Sequence, residues 1–196
     1  MRDMSRKYIQ FLLITLLSLT VYACGAPPRS YSPPGRSQPV ATKPSKVERN
    51  WTFGAVEGWM PVKEADLKDD EASIVAEYER QLNSDLTVST YLVAKRLTAE
   101  EVKSFLEDIQ AEASSRDERK AKMLGQRMAK LGDVDSYEVL EVRRIGVNSA
   151  ALVLSVAVTD GKVGYLASCG GNVRSGELVL AACKEFLATF RVLVKP

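Results

Sequence analysis

The sequence predicts an α+β fold, an antiparallel sheet with helices packed on it. Three observations predict this class: two β-branched segments around a short polar turn, an amphipathic segment behind a helix-capping signal, and three strand-like segments joined by tight turns. Strands grouped in hairpins and meanders, with helices between the groups, are typical of α+β folds. These signals all follow residue 50, so the folded domain is assigned to residues 49–196.

The domain begins with a short apolar segment that starts at Trp51 and ends near Pro61. Residues 73–78 and 86–93 are rich in β-branched and aromatic side chains, and Asn83-Ser84-Asp85 lies between them. This arrangement predicts an antiparallel hairpin.

A helix is predicted after the hairpin. Thr98 and Glu101 form a capping-box signature, in which each side chain bonds the backbone amide of the other residue. Apolar residues then recur at helical spacing: Val102, Phe105, Leu106, Ile109 and Ala113. The charged run 114–122 is interpreted as a solvated helix or loop. Helical spacing resumes up to Gly132 at Met123, Leu124, Met128 and Leu131.

The last third predicts three strands and a closing helix. The strands cover residues 137–145, 150–158 and 163–169, with a tight turn at 159–162 and a break at Gly170-Gly171. Ser175 is the predicted cap of the final helix, whose apolar residues include Leu178, Val179, Ala182, Phe186, Leu187 and Phe190.

Three features of this region resemble the PsbP photosystem protein and the small bacterial lipoproteins that share its fold. They are Gly58-Trp59 near the start, the strand pair within 137–158, and a closing helix that ends in Phe190-Arg191. The resemblance implies a PsbP-like sandwich and a non-enzymatic binding, accessory or assembly role. It implies no site residues.

The amino terminus predicts export. Residues 1–7 are basic, and residues 8–21 are apolar but shorter than the roughly 20 residues that span a bilayer. A basic head, a short apolar middle and a small residue before a cleavage site are the signs of a signal peptide, here residues 1–23.

Val21-Tyr22-Ala23-Cys24 resembles the bacterial lipobox, with Tyr22 as a departure from the usual small or aliphatic residue. The resemblance implies that Cys24 becomes the first mature residue and carries diacylglycerol and often a further acyl chain such as palmitate, which anchors the protein in a membrane. If the cell has two membranes, Gly25 in place of an aspartate resembles lipoproteins sent to the outer membrane, where the domain would face the periplasm. A plain secretory peptide with an incidental Cys24 is the alternative.

Residues 24–48 predict a disordered tether. Six of the eight prolines stand here: Pro27, Pro28, Pro33, Pro34, Pro39 and Pro44. Within residues 25–47, four basic residues and no acidic one accompany them: Arg29, Arg36, Lys43 and Lys46. The composition favours extended, solvated chain, and contact with anionic lipid or wall polymer is an alternative to a plain linker.

Charge and composition exclude several function classes. Removing residues 1–23 takes away three basic residues and one acidic residue, so the net charge of +2 becomes 0. A neutral mature chain predicts no nucleic-acid partner. Histidine is absent, which excludes Ser-His-Asp and Cys-His catalysis and His-ligated metals. We expect no enzyme, no catalytic residues, no metal site and no cofactor.

With Cys24 assigned to lipid by the lipobox resemblance, Cys169 and Cys183 remain as an even pair in an oxidising compartment. A bridge between them would pin the final helix to a strand. Two separate buried thiols are the alternative.

Other motifs favour structural interpretations. The segment 170–176 suggests a phosphate loop but lacks the Gly-Lys-Ser/Thr ending, so a turn is favoured over an anion site near Arg174. Four acidic residues could bind calcium loosely but lack the ligand spacing: Asp66, Asp69, Asp70 and Glu71. Trp51 and Trp59 are predicted at the edge of the core rather than in a ligand pocket.

Three functions follow in order of preference. The first is a membrane-tethered binding or assembly factor with an envelope protein partner. The second is a small-ligand binder with a pocket around Trp59. The third is a carboxylate-based hydrolase, which would require a pair such as Asp133 and Asp135 to line a cleft.

Overall fold

The computed structural model describes residues 50–67 and 71–193. The signal peptide, Cys24 and the tether fall outside these residues and stay predictions. The strands are β1 Trp51–Thr52, β2 Trp59–Glu64, β3 Ser73–Asn83, β4 Leu86–Arg96, β5 Ala121–Leu131, β6 Val134–Arg144, β7 Ala150–Thr159, β8 Val163–Asn172 and β9 Arg191–Val192. The helices are α1 Ala99–Ser114 and α2 Gly176–Leu187, and a 3-10 turn, Val173–Ser175, precedes α2.

A seven-stranded antiparallel sheet forms the centre of the domain, in the order β2-β3-β4-β8-β7-β6-β5. The helix α1 packs on one face, against β6, β7 and β8, and α2 packs on the other face, against β4, β7 and β8. The short strands β1 and β9 pair with each other and join the start of the domain to its end. The α+β class and the antiparallel sheet are therefore confirmed.

The face under α2 buries a cluster of aromatic rings. Phe186 of α2 stacks on Trp59 with ring centroids 4.1 Å apart, and on Phe53 at 4.8 Å. Phe190 stacks on the same Phe53 ring at 4.9 Å. These rings close over the apolar residues that β4, β7 and β8 turn toward α2, and they form the larger of the two cores.

The face under α1 holds a smaller core. Phe105 and Ile109 of α1 pack on Tyr137 and Leu166 of the sheet. The Phe105 ring lies against Gly164, where an added Cβ would come within 2.5 Å of the ring. Glycine at this point of β8 therefore lets α1 approach the sheet.

The hairpin, the capping box and the three later strands agree with the sequence predictions. The Thr98 hydroxyl accepts a hydrogen bond from the Glu101 amide at 3.3 Å, and the Glu101 carboxylate accepts one from the Thr98 amide at 2.8 Å. Residues 115–120 form an exposed turn, as expected for the charged run, except for the half-buried Arg116.

The predicted helix around Met123–Leu131 is wrong. These residues form the edge strand β5, which pairs with β6 along its whole length. A bulge between Met123 and Gly125 shifts the side-chain alternation and so produced helix-like spacing. The missed signal is Gly132-Asp133, a two-residue hairpin turn with Gly132 at φ 65°.

Two details at the end of β8 also differ from prediction. Gly170 and Gly171 do not break the strand, because both continue the ladder with β7. Ser175 precedes α2 but makes no side-chain capping bond. The side-chain cap is instead found one turn earlier, where Asn172 caps the 3-10 turn. Its Oδ1 accepts a hydrogen bond from the Arg174 amide at 3.0 Å. Neither helix in the described residues has the length and apolarity needed to cross a membrane.

Candidate functional site

An open cleft lies at one end of the sheet, on the face that carries α1. Its volume is about 750 Å³, within the range of small-molecule binding sites. The β3–β4 turn, the β6–β7 loop and the end of β8 surround it. Its charged lining residues are Glu79, Asp85, Arg144 and Arg174.

The cleft exists because α1 crosses the sheet diagonally. The helix begins beside β4, where Lys95 Nζ lies 2.8 Å from Glu101 Oε1. Just beyond its end, Arg116 reaches Glu141 on β6. The corner formed by the ends of β4, β7 and β8 is left without a helix over it, and residues of these ends line the cleft.

The cleft is deep because the side chains on its floor are small. Ser89 of β4 pairs with Gly170 of β8, and both line the cleft. A Cβ added at Gly170 would lie 2.7 Å from the Leu152 carbonyl oxygen, so this position requires glycine. Ala151 of β7 continues the small lining.

The rim of the cleft has acidic residues on one side, a basic residue on the opposite side and a second basic residue between them. Arg144 and Arg174 are exposed, and neither makes an ion pair with a described residue. Glu79 and Asp85 lie on the β3–β4 side. Burial and the neighbouring Glu77 raise the pKa of Glu79, and a hydrogen bond with Ser89 partly opposes this. The lining of the cleft therefore carries charges of both signs.

A buried charge network adjoins the cleft on the β6 side. Arg116 Nη1 lies 2.5 Å from Glu141 Oε2, and Arg143 Nε donates to the same carboxylate. Arg143 pairs with Ala151 of the cleft lining, so both side chains lie on one face of the sheet. Arg143 Nη1 is buried and has no hydrogen-bond partner among the described residues.

Glu112 completes this network from α1. Burial raises the pKa of Glu112 to about 7, and Glu141 adds to the rise, while Arg116 and Arg143 oppose it. Burial also lowers the pKa of Arg143. Sequence reasoning missed the network because charged residues on a strand usually face water, although Glu141 and Arg143 share the alternation of the buried Tyr137 and Val139.

The two cysteines are joined in the structure. The Cys169 and Cys183 sulfurs lie 2.06 Å apart and the Cα atoms 5.5 Å apart, which is disulfide geometry. Cys169 is inside β8 rather than at its end, and Cys183 is in the middle of α2. The bridge fastens α2 to the centre of the sheet and lies on the face opposite the cleft.

The tryptophans belong to the core. Trp51 and Trp59 are 8% and 9% exposed, and the Trp59 ring stacks on Phe186. Trp59, around which a small-ligand pocket was expected, does not line the cleft, whereas Trp51 lines a second, smaller cavity of about 430 Å³.

The remaining acidic candidates stand apart from the cleft. Asp133 and Asp135 are exposed on the β5–β6 hairpin, and Asp135 Oδ1 pairs with Lys130 at 2.7 Å. They lie on an open surface and do not line the cleft, as the hydrolase hypothesis required. Asp66 and Glu71 are exposed, Asp69 and Asp70 fall outside the described residues, and no group of metal-ligand side chains is found among those described.

No protein-family model matches the chain, and neither does any curated protein. Several solved structures are similar in fold, among them the following two. LpqN, involved in cell envelope biogenesis of Mycobacterium tuberculosis, has a TM-score of 0.49 and 10% identity, covering 73% of this chain and 83% of that chain. The cyanobacterial PsbP (CyanoP) from Synechocystis sp. PCC 6803 has a TM-score of 0.47 and 11% identity, covering 81% and 98%. Likenesses of this size concern the fold and indicate no shared activity.

Proposed function

We propose that this chain is an exported, lipid-anchored binding protein that acts as a non-catalytic accessory or assembly factor in the cell envelope. Cys24 carries the lipid, residues 24–48 form the tether, and the α+β domain binds a protein partner. In a cell with two membranes, the anchor lies in the outer membrane and the domain faces the periplasm.

The observation that carries the export is the disulfide between Cys169 and Cys183. Disulfides persist in oxidising compartments and are rare in the cytosol. A bridge inside the folded domain therefore agrees with the signal peptide that residues 1–23 predict. The cleft supports a binding role, and its 750 Å³ also suit the second candidate function, a small-ligand binder.

The anchor is tested by labelling cells with an alkyne analogue of palmitate. We expect label on the full chain, recovery with membranes, and loss of both in Cys24→Ser, because the thiol is the attachment point. The matched control is the Cys169→Ser/Cys183→Ser double variant, which keeps Cys24 and keeps the label. A labelled Cys24→Ser chain, or an unlabelled wild type, contradicts the anchor.

The accessory role is tested by crosslinking in cells, followed by detergent extraction and mass spectrometry. The control is a chain that keeps residues 1–48 and lacks the domain. We expect one stoichiometric envelope protein with the full chain and none with the control. If both chains recover only bulk membrane proteins, the accessory role is contradicted and small-ligand binding becomes the first candidate.

A further inference from the structure

The charges of the cleft have a fixed order across the sheet. Glu79 and Asp85 lie on the β3–β4 side, and Arg144 lies at the end of β6. The sheet order places β8 and β7 between β4 and β6. Arg174, just beyond the end of β8, lies between these two sides. A ligand that uses both ends of the cleft therefore carries a cationic group at one end and an anionic group at the other.

The size of the cleft limits the ligand. Strands β4 and β6 are three steps apart in the sheet, which corresponds to a separation of about 14 Å. An extended peptide advances about 3.3 Å per residue, so three or four residues, with a hydrogen bond of about 3 Å at each end, bridge the two sides. The small side chains of Ala151 and Gly170 leave room for its backbone, and the Thr87 and Ser149 hydroxyls on the lining can hydrogen-bond it.

The cleft lies far from the point where the tether enters the domain, and its mixed charge argues against a purely anionic ligand. The described chain begins at Asn50, whose Nδ2 donates to Asp160 Oδ2 at 3.3 Å in the β7–β8 turn. The cleft lies at the opposite end of the same strands, about 30 Å away for a ten-residue strand. A ligand that is only anionic, such as free phosphate, would also face Glu79 and Asp85.

We propose that this cleft binds a short, extended, zwitterionic peptide, with its carboxylate at Arg144 and Arg174 and its amino group at Glu79 and Asp85. Guanidinium groups suit this task because their fork of donors matches a carboxylate. The inference goes beyond the accessory role, since it concerns the ligand of the cleft and holds whether or not Cys24 carries lipid.

The probes are tri-alanine, its N-acetylated form, which keeps only the carboxylate, and its carboxyl-amidated form, which keeps only the amine. Binding to the full chain in detergent micelles is measured by calorimetry. We expect tri-alanine to bind and each cap to weaken binding about tenfold or more, because a charged hydrogen-bonding partner is lost. No binding by any probe, or equal binding by all three, overturns the proposal.

Variants that remove charge test which end of the cleft binds the carboxylate and which binds the amino group. Arg144→Gln/Arg174→Gln is expected to weaken tri-alanine and the N-acetylated form and to leave the amidated form unchanged. Glu79→Gln/Asp85→Asn is expected to weaken tri-alanine and the amidated form and to leave the N-acetylated form unchanged. Arg96→Gln, an exposed cation at the far end of the sheet, is the matched control and leaves all three affinities unchanged.

Thermal unfolding of each variant separates lost binding from lost folding. A folded arginine variant that still binds tri-alanine like wild type overturns the assignment. Inorganic phosphate is tested alongside, and if phosphate alone binds, with no peptide binding, the cleft is an anion site and the peptide proposal fails.

Discussion

The two faces of the seven-stranded sheet differ in what they bury. Under α2, the stacked rings of Trp59, Phe53 and Phe186 form the centre of a large apolar core, and a disulfide ties the helix to β8. Under α1, the apolar core is smaller, Glu141 and Arg143 are buried beside it, and one corner is left open. The comparison indicates that the α2 face supplies most of the apolar stabilisation, and that the α1 face holds the polar groups suited to binding.

The largest effect is expected on the α2 face. Phe186→Ala removes the ring that contacts Trp59, Phe53 and Tyr78, and we expect a loss of about 4 kcal/mol in the free energy of unfolding. Urea unfolding with the disulfide intact measures it. Leu178→Ala, an exposed position on the same helix, is the control and changes stability by about 0.5 kcal/mol or less. Equal losses of unfolding free energy in the two variants would show that the aromatic cluster is not what stabilises this face.

A smaller loss is expected when the charge network of the α1 face is broken. Glu141→Ala leaves the buried Arg143 guanidinium without its carboxylate, at a cost of about 3 kcal/mol in the same unfolding experiment. Glu138→Ala is the neighbouring control, because its partner Arg127 is exposed and the pair is screened by water. The comparison between faces fails if Glu138→Ala destabilises the domain as much as Glu141→Ala.

The smallest effect is a pH dependence from Glu112. Its pKa is about 7 in the fold, above the ordinary glutamate value of 4.5, so the protonated form favours folding. This contribution to stability is fully present below pH 4.5 and is lost as the pH rises through about 7. Between about pH 5 and about pH 8, Glu112→Gln should therefore gain stability relative to wild type. Parallel pH profiles of unfolding for the two proteins would contradict this.

The strands and helix that the sequence predicted correctly have strong local signals. The turn at Asn83-Ser84-Asp85, the capping box at Thr98 and the apolar run of β7 each determine structure within a few residues. The strand β5 was missed because Met, Leu, Ala and Lys favour helices, and its conformation is decided by pairing with β6, a tertiary contact that overrides local preference.

The cleft could not be predicted from the sequence, because it depends on which corner of the sheet α1 leaves uncovered. Arg174 was singled out within the segment 170–176, as the residue near a possible anion site. Glu79, Asp85 and Arg144 were not singled out, because they come together only through the register of β3, β4, β6 and β8. The cysteine pair was accessible to sequence reasoning because only two thiols remain once Cys24 is set aside.

The pairing of β1 with β9 has a mechanical consequence. Any tension in the chain before residue 50 enters the domain at β1, which is held by two residue pairs and by the Asn50 contacts with Leu193 and Asp160. A force on this short pair of strands acts on Trp51 before it is transmitted to the seven-stranded sheet. We expect the point of attachment to be the first part of the domain to yield under force, while the cleft at the far end of the strands keeps its shape.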